Sequence, residues 1–366
     1  MRRAILLLLF LAGAATAAEW RTPGPTGRAW DFPADHHALR DYRNEWWYVT
    51  GHLAAAGEAE PRWGYQFTLF RLGVAPGEAD TAAAWAASDL VMGHVALTDL
   101  RAGTHLFTQV MVRAVDPLGG FGAPGDSMLA WCAAPPGTDG RWTFALDGDG
   151  FRLRAQDRRK GLDLELTLRP ERPVVFHGPG GYSPKSADGS QASLYYSYTR
   201  LATAGELDGE PVQGRSWFDR EVFTGTLTGE RVGWDWASLQ LDDGRDLMLF
   251  ELRREDGVVD FGRGTLVESD GRVVLLSRDQ WTWTPTGRWT SPATGNVYPS
   301  GWRLNLPGGL GEVEVVPEVA GAENVGPPGG FTYWEGPVTF TGAAEGRGYV
   351  ELTGYGSSEV SPETGR

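Results

Sequence analysis

The stretch Asn44-Glu45-Trp46-Trp47-Tyr48-Val49-Thr50-Gly51-His52-Leu53 decides the fold of this chain. Its aromatic and β-branched residues favour an extended strand over a helix, and alternate side chains of a strand share a face. The mixed face consists of Trp46, Tyr48, Thr50 and His52, and the apolar face of Trp47, Val49 and Leu53. The pattern predicts a barrel wall with one lined and one packed side. The alternative is a buried strand whose tryptophans only fill core.

The composition of the whole chain predicts an all-β protein. Its 366 residues include 51 Gly, 23 Pro and 16 Trp, and few segments have helical periodicity. This is typical of short strands joined by tight turns, and nine strands are predicted between residues 46 and 223. The single Cys132 excludes an internal disulfide, so a large hydrophobic core must hold the fold.

The first 17 residues have the order of a secretory signal. Arg2 and Arg3 precede an apolar run from Ala4 to Ala15, which is too short to span a membrane, and a small-residue cleavage site follows. We therefore predict a periplasmic or secreted, soluble protein. Cleavage removes two of the 33 basic residues and none of the 47 acidic ones, which leaves a net charge of −16. That charge disfavours nucleic acid and anionic lipid head groups as partners.

The second half of the chain repeats the first in shortened form. The segment Gly233-Trp234-Asp235-Trp236-Ala237-Ser238-Leu239-Gln240-Leu241 aligns with the opening stretch, with Trp236 on Tyr48. Further correspondences follow in the same order, and they pair residues 65–71 with 245–251, 97–99 with 266–268, 164–168 with 313–316, 195–198 with 333–335, and 217–219 with 349–351. Because the corresponding segments occur in the same order in both halves of the chain, they indicate a duplication.

A duplicated all-β unit predicts two antiparallel β-barrels, because closure removes exposed sheet edges. A barrel of about eight strands can hold one small ligand. A pair of β-sandwiches is the alternative. The predicted boundaries are a signal at 1–17, an arm across the surface at 18–43, a first barrel at 44–223, a polar linker at 224–230 and a second barrel at 231–366. A short helical insert is predicted at 79–88.

Spaced motifs cover nearly the whole chain beyond the signal. They are Phe32-Pro33-x-Asp35-His36, Glu45-Trp46-Trp47-Tyr48-Val49-Thr50-Gly51, Gly64-Tyr65-Gln66-Phe67-Thr68-Leu69-Phe70-Arg71, His94-Val95-Ala96-Leu97-Thr98-Asp99, Gly233-Trp234-Asp235-Trp236 and Gly348-Tyr349-Val350-Glu351-Leu352-Thr353-Gly354. Together they resemble the AttH-like family, which is related to carotenoid 1,2-hydratase (hydroxyneurosporene synthase). The resemblance implies two tandem lipocalin-like barrels that hold a long apolar ligand, a lipid or an isoprenoid, between or within them. It also implies an export-type ABC transporter permease as a partner.

The resemblance also directs attention to the run Trp217-Phe218-Asp219-Arg220-Glu221-Val222. The hydratases are expected to use an Asp-His pair, followed closely by a Trp, at this place. Here Asp219 is kept, but Arg220 occupies the His position, and Arg is a poor proton relay because it stays protonated. Asp219 and Glu221 share a strand face and are the candidate catalytic acids. The alternative is that Arg220 and Arg215 pair with them.

The other candidate site residues are those that could line an apolar ligand, namely Glu45, Trp46, Tyr48, His94, Tyr195, Trp217, Trp234 and Trp236. Glu45 is either a buried carboxylate with a raised pKa or the ion-pair partner of Arg71 across a hairpin. His94 is either a satisfied core histidine or a functional one. Neither a metal site nor a cofactor is predicted, since the chain lacks a Cys or His cluster, a P-loop and a dinucleotide fingerprint.

Two main functions are compatible with these residues. The first is an exported binding or carrier protein for an elongated apolar ligand, and it is favoured by Arg220 and by the signal. The second is a hydro-lyase, which requires a proton donor, aromatic faces that stabilise a carbocation, and a placed water. A purely structural role is the third alternative.

Overall fold

The structure of the protein is a computed structural model that describes residues 19–77, 86–225, 231–327 and 330–356. Nearly all of the regular secondary structure belongs to two large antiparallel sheets that follow one another in the chain. The fold class is therefore all-β with two tandem lipocalin-like barrels, as predicted. The signal segment, residues 79–85 of the predicted helical insert and residues 226–230 of the linker lie outside the described residues.

The first sheet takes strands from the first 223 residues. They are β1 (Asn44–Ala55), β2 (Trp63–Gly73), β3 (Asp89–Asp99), β4 (Thr104–Arg113), β5 (Gly119–Phe121), β6 (Met128–Ala133), β7 (Arg141–Asp147), β8 (Gly150–Asp157), β9 (Leu162–Pro170), β10 (Val175–Phe176), β11 (Tyr182–Pro184), β12 (Ala192–Leu207) and β13 (Glu210–Phe223). Short 3₁₀ helices lie at Ala34–His36 and Pro179–Gly181. The nine predicted strands are all present and longer than expected, whereas β5, β6, β10 and β11 were not predicted.

The second sheet is shorter in sequence. Its strands, with the separate hairpin β19–β20, are β14 (Arg231–Leu241), β15 (Asp246–Arg254), β16 (Val259–Val267), β17 (Val273–Ser277), β18 (Thr282–Pro285), β19 (Arg288–Thr290), β20 (Val297–Pro299), β21 (Trp302–Leu306), β22 (Gly311–Pro317), β23 (Glu323–Asn324), β24 (Tyr333–Gly342) and β25 (Gly346–Leu352). A third 3₁₀ helix occupies Arg278–Gln280.

The strand order places β1 at the centre of its sheet. The first sheet runs β4-β3-β2-β1-β13-β12-β9-β8-β7-β6-β5, and it curls until β5 and β6 lie against β3 and β4. The second sheet has the same plan around β14, in the order β17-β16-β15-β14-β25-β24-β22-β21-β18. In both sheets the first strand therefore pairs with its hairpin neighbour on one side and with the last strand on the other.

The apolar face of β1 points into the first barrel, as its alternation predicted. Trp47 and Val49 are fully buried there among large side chains such as Trp142, Phe144 and Phe151. These side chains pack the interior at the ring distances of direct contact, for example 5.3 Å between the centroids of Phe144 and Phe151. The interior of the first barrel is thus a packed core.

The predicted surface arm is partly wrong. Residues 35–37 are buried, and the His36 imidazole Nδ1 lies 2.7 Å from the Tyr196 hydroxyl in the barrel. Trp47 donates its indole N–H to the His36 carbonyl at 2.8 Å. A Pro- and Gly-rich composition indicates a segment without regular structure, but it does not tell whether that segment covers the barrel or closes its end.

The pairing registers confirm the duplication and correct one strand of it. Tyr48 lies opposite Asp219 on β13, and its counterpart Trp236 lies opposite Glu351 on β25. On the other side, Tyr48 pairs with Thr68 but Trp236 pairs with Phe250, so residues 65–71 correspond to 247–253 instead of 245–251. A slip of two residues preserves the alternation of faces, and the sequence pattern therefore could not detect it.

Candidate functional site between the barrels

The mixed face of β1 lies outside the first barrel and packs against the second barrel. Side chains opposite one another across the sheet form a row there, which contains His94, Thr68, Tyr48, Asp219 and Ser197. The equivalent row of the second barrel contains Arg263, Phe250, Trp236, Glu351 and Glu335. The two rows face each other, with the rings of Tyr48 and Trp236 in edge contact at 5.3 Å.

The two rows run in opposite directions, so each end of the interface combines the start of one row with the end of the other. At one end, His94 Nδ1 lies 2.9 Å from the hydroxyl of Tyr333, two residues from Glu335. We call this the closed end (His94, Tyr333, Glu335). At the other end, Ser197 and the neighbouring His177 approach Thr265, two residues from Arg263. We call this the cleft end (His177, Ser197, Phe250, Arg263).

Between these ends lies a layer of aromatic side chains from both barrels, which we call the aromatic layer (Tyr48, Tyr195, Trp217, Trp236). Asp219 lies in this layer and is only 3% exposed. Tyr195 donates its hydroxyl to Asp219 Oδ2 at 2.6 Å, and Trp217 donates its indole N–H to Oδ1 at 2.6 Å. The Ser197 hydroxyl also donates to Oδ1. Trp236 of the second barrel completes the cluster by donating to the Tyr195 hydroxyl at 3.0 Å. Strand alternation brings these side chains together, because positions 195 and 197, and 217 and 219, share one face.

The environment of Asp219 brings its protonation equilibrium close to neutral pH. Burial raises the pKa of Asp219 to about 7, although its hydrogen bonds to Ser197, Tyr195 and Trp217 act in the opposite direction. No cation forms an ion pair with Asp219 among the described residues. The expected pairing with Arg220 or Arg215 is wrong: Arg215 pairs with Glu171, and Arg220 points to the other face of β13.

A hydrogen-bonded chain joins Asp219 to a cleft between the barrels. His177 Nε2 lies 2.6 Å from the Ser197 hydroxyl, and His177 Nδ1 lies 2.9 Å from the Thr265 hydroxyl of the second barrel. Both His177 and Thr265 line a cleft of about 410 Å³, with Phe250 and Met248 on its apolar side. Burial, and then the charge of Lys185, lower the pKa of His177 well below its usual range, so the imidazole is neutral.

Three residues of this cluster, His177, Ser197 and Thr265, are not predicted from the sequence. Ser197 had a usable signal, since it lies two positions after Tyr195 and shares that residue's face. His177 stands in a short segment before Gly178-Pro179, and no sequence pattern places it beside Asp219. In space its imidazole is linked to Asp219 through the Ser197 hydroxyl.

The closed end also contains a buried acid. Tyr48 donates its hydroxyl to Glu335 Oε1 at 2.6 Å, and the other oxygen, Oε2, has no hydrogen-bond partner among the described residues. Burial, and then the charge of Glu351, raise the pKa of Glu335 well above its usual range. His94 is buried as well, and desolvation lowers its pKa to about 3. His94 is therefore uncharged at neutral pH, and burial favours the protonated form of Glu335.

Three further candidates lie at the margin of the aromatic layer. Glu221 forms an ion pair of 2.8 Å with Lys185, whose ammonium group also lies 4.0 Å from the Phe250 ring centroid. Trp46 is partly buried against Phe223, and Trp234 is partly buried against Phe331. None of these three hydrogen-bonds to Asp219 in the described part of the chain.

Glu45 lies on the other side of β1 and is separate from this cluster. It forms ion pairs with Arg71 and Arg220, and Arg71 also holds Asp89 at 2.7 Å. The predicted pairing with Arg71 is confirmed. The alternative of a raised pKa is wrong, because Arg220 and Arg71 outweigh the burial of Glu45 and lower its pKa.

The described ranges contain no group of three His, Cys, Asp or Glu side chains that could hold a metal ion. Among the same residues, no helix combines the length and apolar character that a membrane crossing requires.

The chain is similar to several known proteins. The model of the AttH-like family matches residues 23–355. A protein assigned as AttH from Nitrosomonas europaea is 34% identical, and its crystal structure superposes with a TM-score of 0.78 over 92% of this chain and 100% of that one. No curated protein matches the sequence.

More distant crystal structures share the fold alone. Kievitone hydratase from Nectria haematococca is 13% identical and has a TM-score of 0.63 over 93% of this chain and 98% of its own. CghA is 12% identical and has a TM-score of 0.51 over 87% of this chain and 90% of its own. The motif resemblance, the family match and the 34% identical structure agree, and the chain belongs to the AttH-like family.

Proposed function

We propose that the protein binds an elongated apolar molecule, a lipid or an isoprenoid, between its two barrels and acts as a hydro-lyase on a C=C bond of that molecule. The observation that carries this proposal is Asp219, a buried carboxyl group with a pKa of about 7 inside an aromatic layer. A general acid works best when its pKa lies near the operating pH. The packed interior of the first barrel favours the space between the barrels as the binding place.

The reaction follows from the groups in this layer. The protonated Asp219 carboxyl donates its proton to one carbon of the double bond, which leaves a carbocation on the other carbon. The π faces of Trp217, Trp236 and Tyr48 stabilise that positive charge. Water adds to the cation, and the oxonium so formed returns a proton to the Asp219 carboxylate, so that the acid is regenerated and one water is consumed.

The hydrogen-bonded chain from Asp219 through Ser197 to His177 supports proton exchange with the cleft. Tyr195 and His177, whose ring centroids are 4.0 Å apart, separate Asp219 from the cleft. A substrate that enters from the cleft must displace or pass these two rings. The fold shared with a protein named as a hydratase, kievitone hydratase, supports this class of reaction.

The test is a hydration assay with a linear C40 polyene as substrate, read by mass spectrometry as the addition of one water. We expect turnover by the parent protein and a loss of at least about 100-fold in Asp219→Asn, because general acids contribute at least that factor. Asp163→Asn, which changes an exposed carboxylate on β9, serves as the control and should keep full turnover. An unchanged rate in Asp219→Asn would remove Asp219 as the acid.

The second candidate function is a carrier that delivers the same class of ligand to an export-type ABC transporter permease. The secretory order of the first 17 residues favours it, because export separates the protein from cytoplasmic cofactors. Cell fractionation followed by mass spectrometry of molecules that co-purify from the periplasm tests it. A ligand bound there and released unchanged, with no hydration of any polyene, would favour the carrier over the hydro-lyase.

A further inference from the structure

Arg263 is a cation at the cleft end that the proposed reaction does not use. It ends the row of the second barrel, opposite Phe250 on β15 and Ser277 on β17. Its side chain lines the cleft, and its guanidinium carbon lies 5.3 Å from the centroid of the Phe261 ring. The same cleft reaches His177 and thereby the hydrogen-bonded chain to Asp219.

Arg263 lacks an acidic partner in a strongly acidic protein. The formal net charge of the chain is −14, yet none of the ion pairs between described residues includes Arg263. Neighbouring cations are compensated: Lys185 pairs with Glu221 at 2.8 Å, and Arg278 pairs with Glu251 at 2.6 Å. The exposed carboxylate of Asp279, whose pKa is lowered by the Ser277 hydroxyl and more weakly by Arg263, lies beyond ion-pair distance of Arg263. The cleft therefore presents one positive charge that forms no ion pair with another described residue.

The remaining wall of the cleft is suited to a hydrocarbon chain. Met248, Phe250, Leu275 and Leu276 contribute apolar surface, and Leu275 is half exposed. Gln280 and Ser277 are among the uncharged polar side chains that line the same cleft. A volume of about 410 Å³ accommodates part of a lipid-sized molecule.

We propose that the cleft binds an amphipathic ligand with a single carboxylate head group, which Arg263 holds while the apolar chain runs past Phe250 toward His177. One guanidinium matches one carboxylate through two parallel hydrogen bonds. A diphosphate carries more charge than one arginine compensates, so it fits this cleft less well. The proposal rests on the proposed function for the fate of the chain, but the binding of the head group is independent of turnover.

The test compares two probes with the same chain, a C15 isoprenoid carboxylic acid and the corresponding C15 alcohol, at pH 8, where the acid is ionised. Dissociation constants are measured by calorimetry for the parent protein, Arg263→Gln, Arg263→Lys and the control Arg303→Gln, which removes an exposed arginine of β21. We expect the parent protein to prefer the acid over the alcohol by about 10- to 100-fold, the range that hydrogen bonds to charged groups provide. Arg263→Gln should abolish that preference, Arg263→Lys should keep part of it, and Arg303→Gln should keep all of it.

Equal affinity of the parent protein for acid and alcohol, or an unchanged preference in Arg263→Gln, would overturn the proposal, as would the failure of both probes to bind. Thermal unfolding of each variant shows that a loss of binding is not a loss of fold. The same probes separate this proposal from the hydration reaction. Acid binding that persists in Asp219→Asn without turnover supports both proposals, whereas tight acid binding without turnover in the parent protein contradicts the hydro-lyase alone.

Discussion

The cleft end and the closed end of the inter-barrel interface are related by the internal repeat, and they differ in one decisive position. Ser197 of the first barrel corresponds to Glu335 of the second, because each lies opposite the acid of the adjacent last strand. At the cleft end the small serine leaves room for His177 and links it to Asp219. At the closed end the larger glutamate fills the equivalent place and bonds to Tyr48 of the other barrel.

The equivalent tyrosines show the same divergence. Tyr195 donates to Asp219 within its own barrel, whereas its counterpart Tyr333 reaches across to His94 of the first barrel. Burial raises the pKa of both Asp219 and Glu335, but only Asp219 is connected to the cleft through side chains of the described residues. Burial also raises the pKa of other carboxyl groups, among them Glu351, to about 7. A raised pKa alone therefore does not identify the acid, and the hydrogen-bonded connection to the cleft distinguishes Asp219 from Glu335.

The largest expected effect separates the two acids. Asp219→Asn should lower hydration turnover by at least about 100-fold, whereas Glu335→Gln, which keeps an acceptor for the Tyr48 hydroxyl, should change it by less than about threefold. Steady-state kinetics on the same polyene measure both variants. Equal losses in the two variants would mean that both ends, or neither, take part in the chemistry.

The pH dependence of stability provides a second contrast. In the unfolded chain the pKa of an aspartate is about 3.9, and in the folded protein the pKa of Asp219 is about 7, so the folded state binds this proton more tightly. The protonated Asp219 therefore stabilises the folded parent protein at low pH, and this contribution is lost as the pH rises from 4 to 7. Asp219→Asn lacks this contribution at every pH. The unfolding free energy of the parent protein minus that of Asp219→Asn should fall by about 3 kcal/mol between pH 5 and pH 8.

Chemical denaturation at each pH gives that difference, and taking the difference cancels the opposite trend from His94 and His177. Their pKa values are lowered, so they cost stability as the pH falls from their unfolded values. A difference that is constant across the pH range would show that Asp219 is ionised in the folded protein.

The smallest expected effect concerns the link to the cleft. Ser197→Ala removes the hydroxyl between His177 and Asp219 and should lower turnover by about tenfold, the value of a strong buried hydrogen bond. The matched control is Ser193→Ala on the same strand, since the buried Ser193 hydroxyl has no hydrogen-bond partner among the described residues. The two variants are compared in the same assay. Equal rates for them would exclude the Ser197 link from the reaction.

Much of the fold and part of the site followed from alternation in the sequence. The period of two predicted the strands, the mixed face of β1, the duplication and the grouping of Tyr48, Asp219, Trp217 and Trp236. Alternation fixes which side of a sheet a residue occupies, and these residues all lie on the same outer side. The confirmed pair of Glu45 with Arg71 followed from the same hairpin pattern.

The remaining features depend on packing that no local pattern encodes. His177 follows the two-residue strand β10, which pairs with β12, and its side chain contacts Thr265 of the second barrel. The arm packs Trp30 and Phe32 against the core of the first barrel. In the sequence, Arg220 is adjacent to Asp219 and occupies the expected His position. Adjacent strand residues point to opposite faces, and Arg220 therefore belongs to the Glu45 cluster.

Infrared spectroscopy of the Asp219 carboxyl group tests most directly whether this residue is a neutral acid at physiological pH. The difference spectrum between the parent protein and Asp219→Asn isolates the C=O stretch of the protonated carboxyl group. We predict that this band is present at pH 6 and disappears with a midpoint near pH 7. A carboxylate band already present at pH 5, with no protonated form detectable, would contradict the assignment of Asp219 as the general acid.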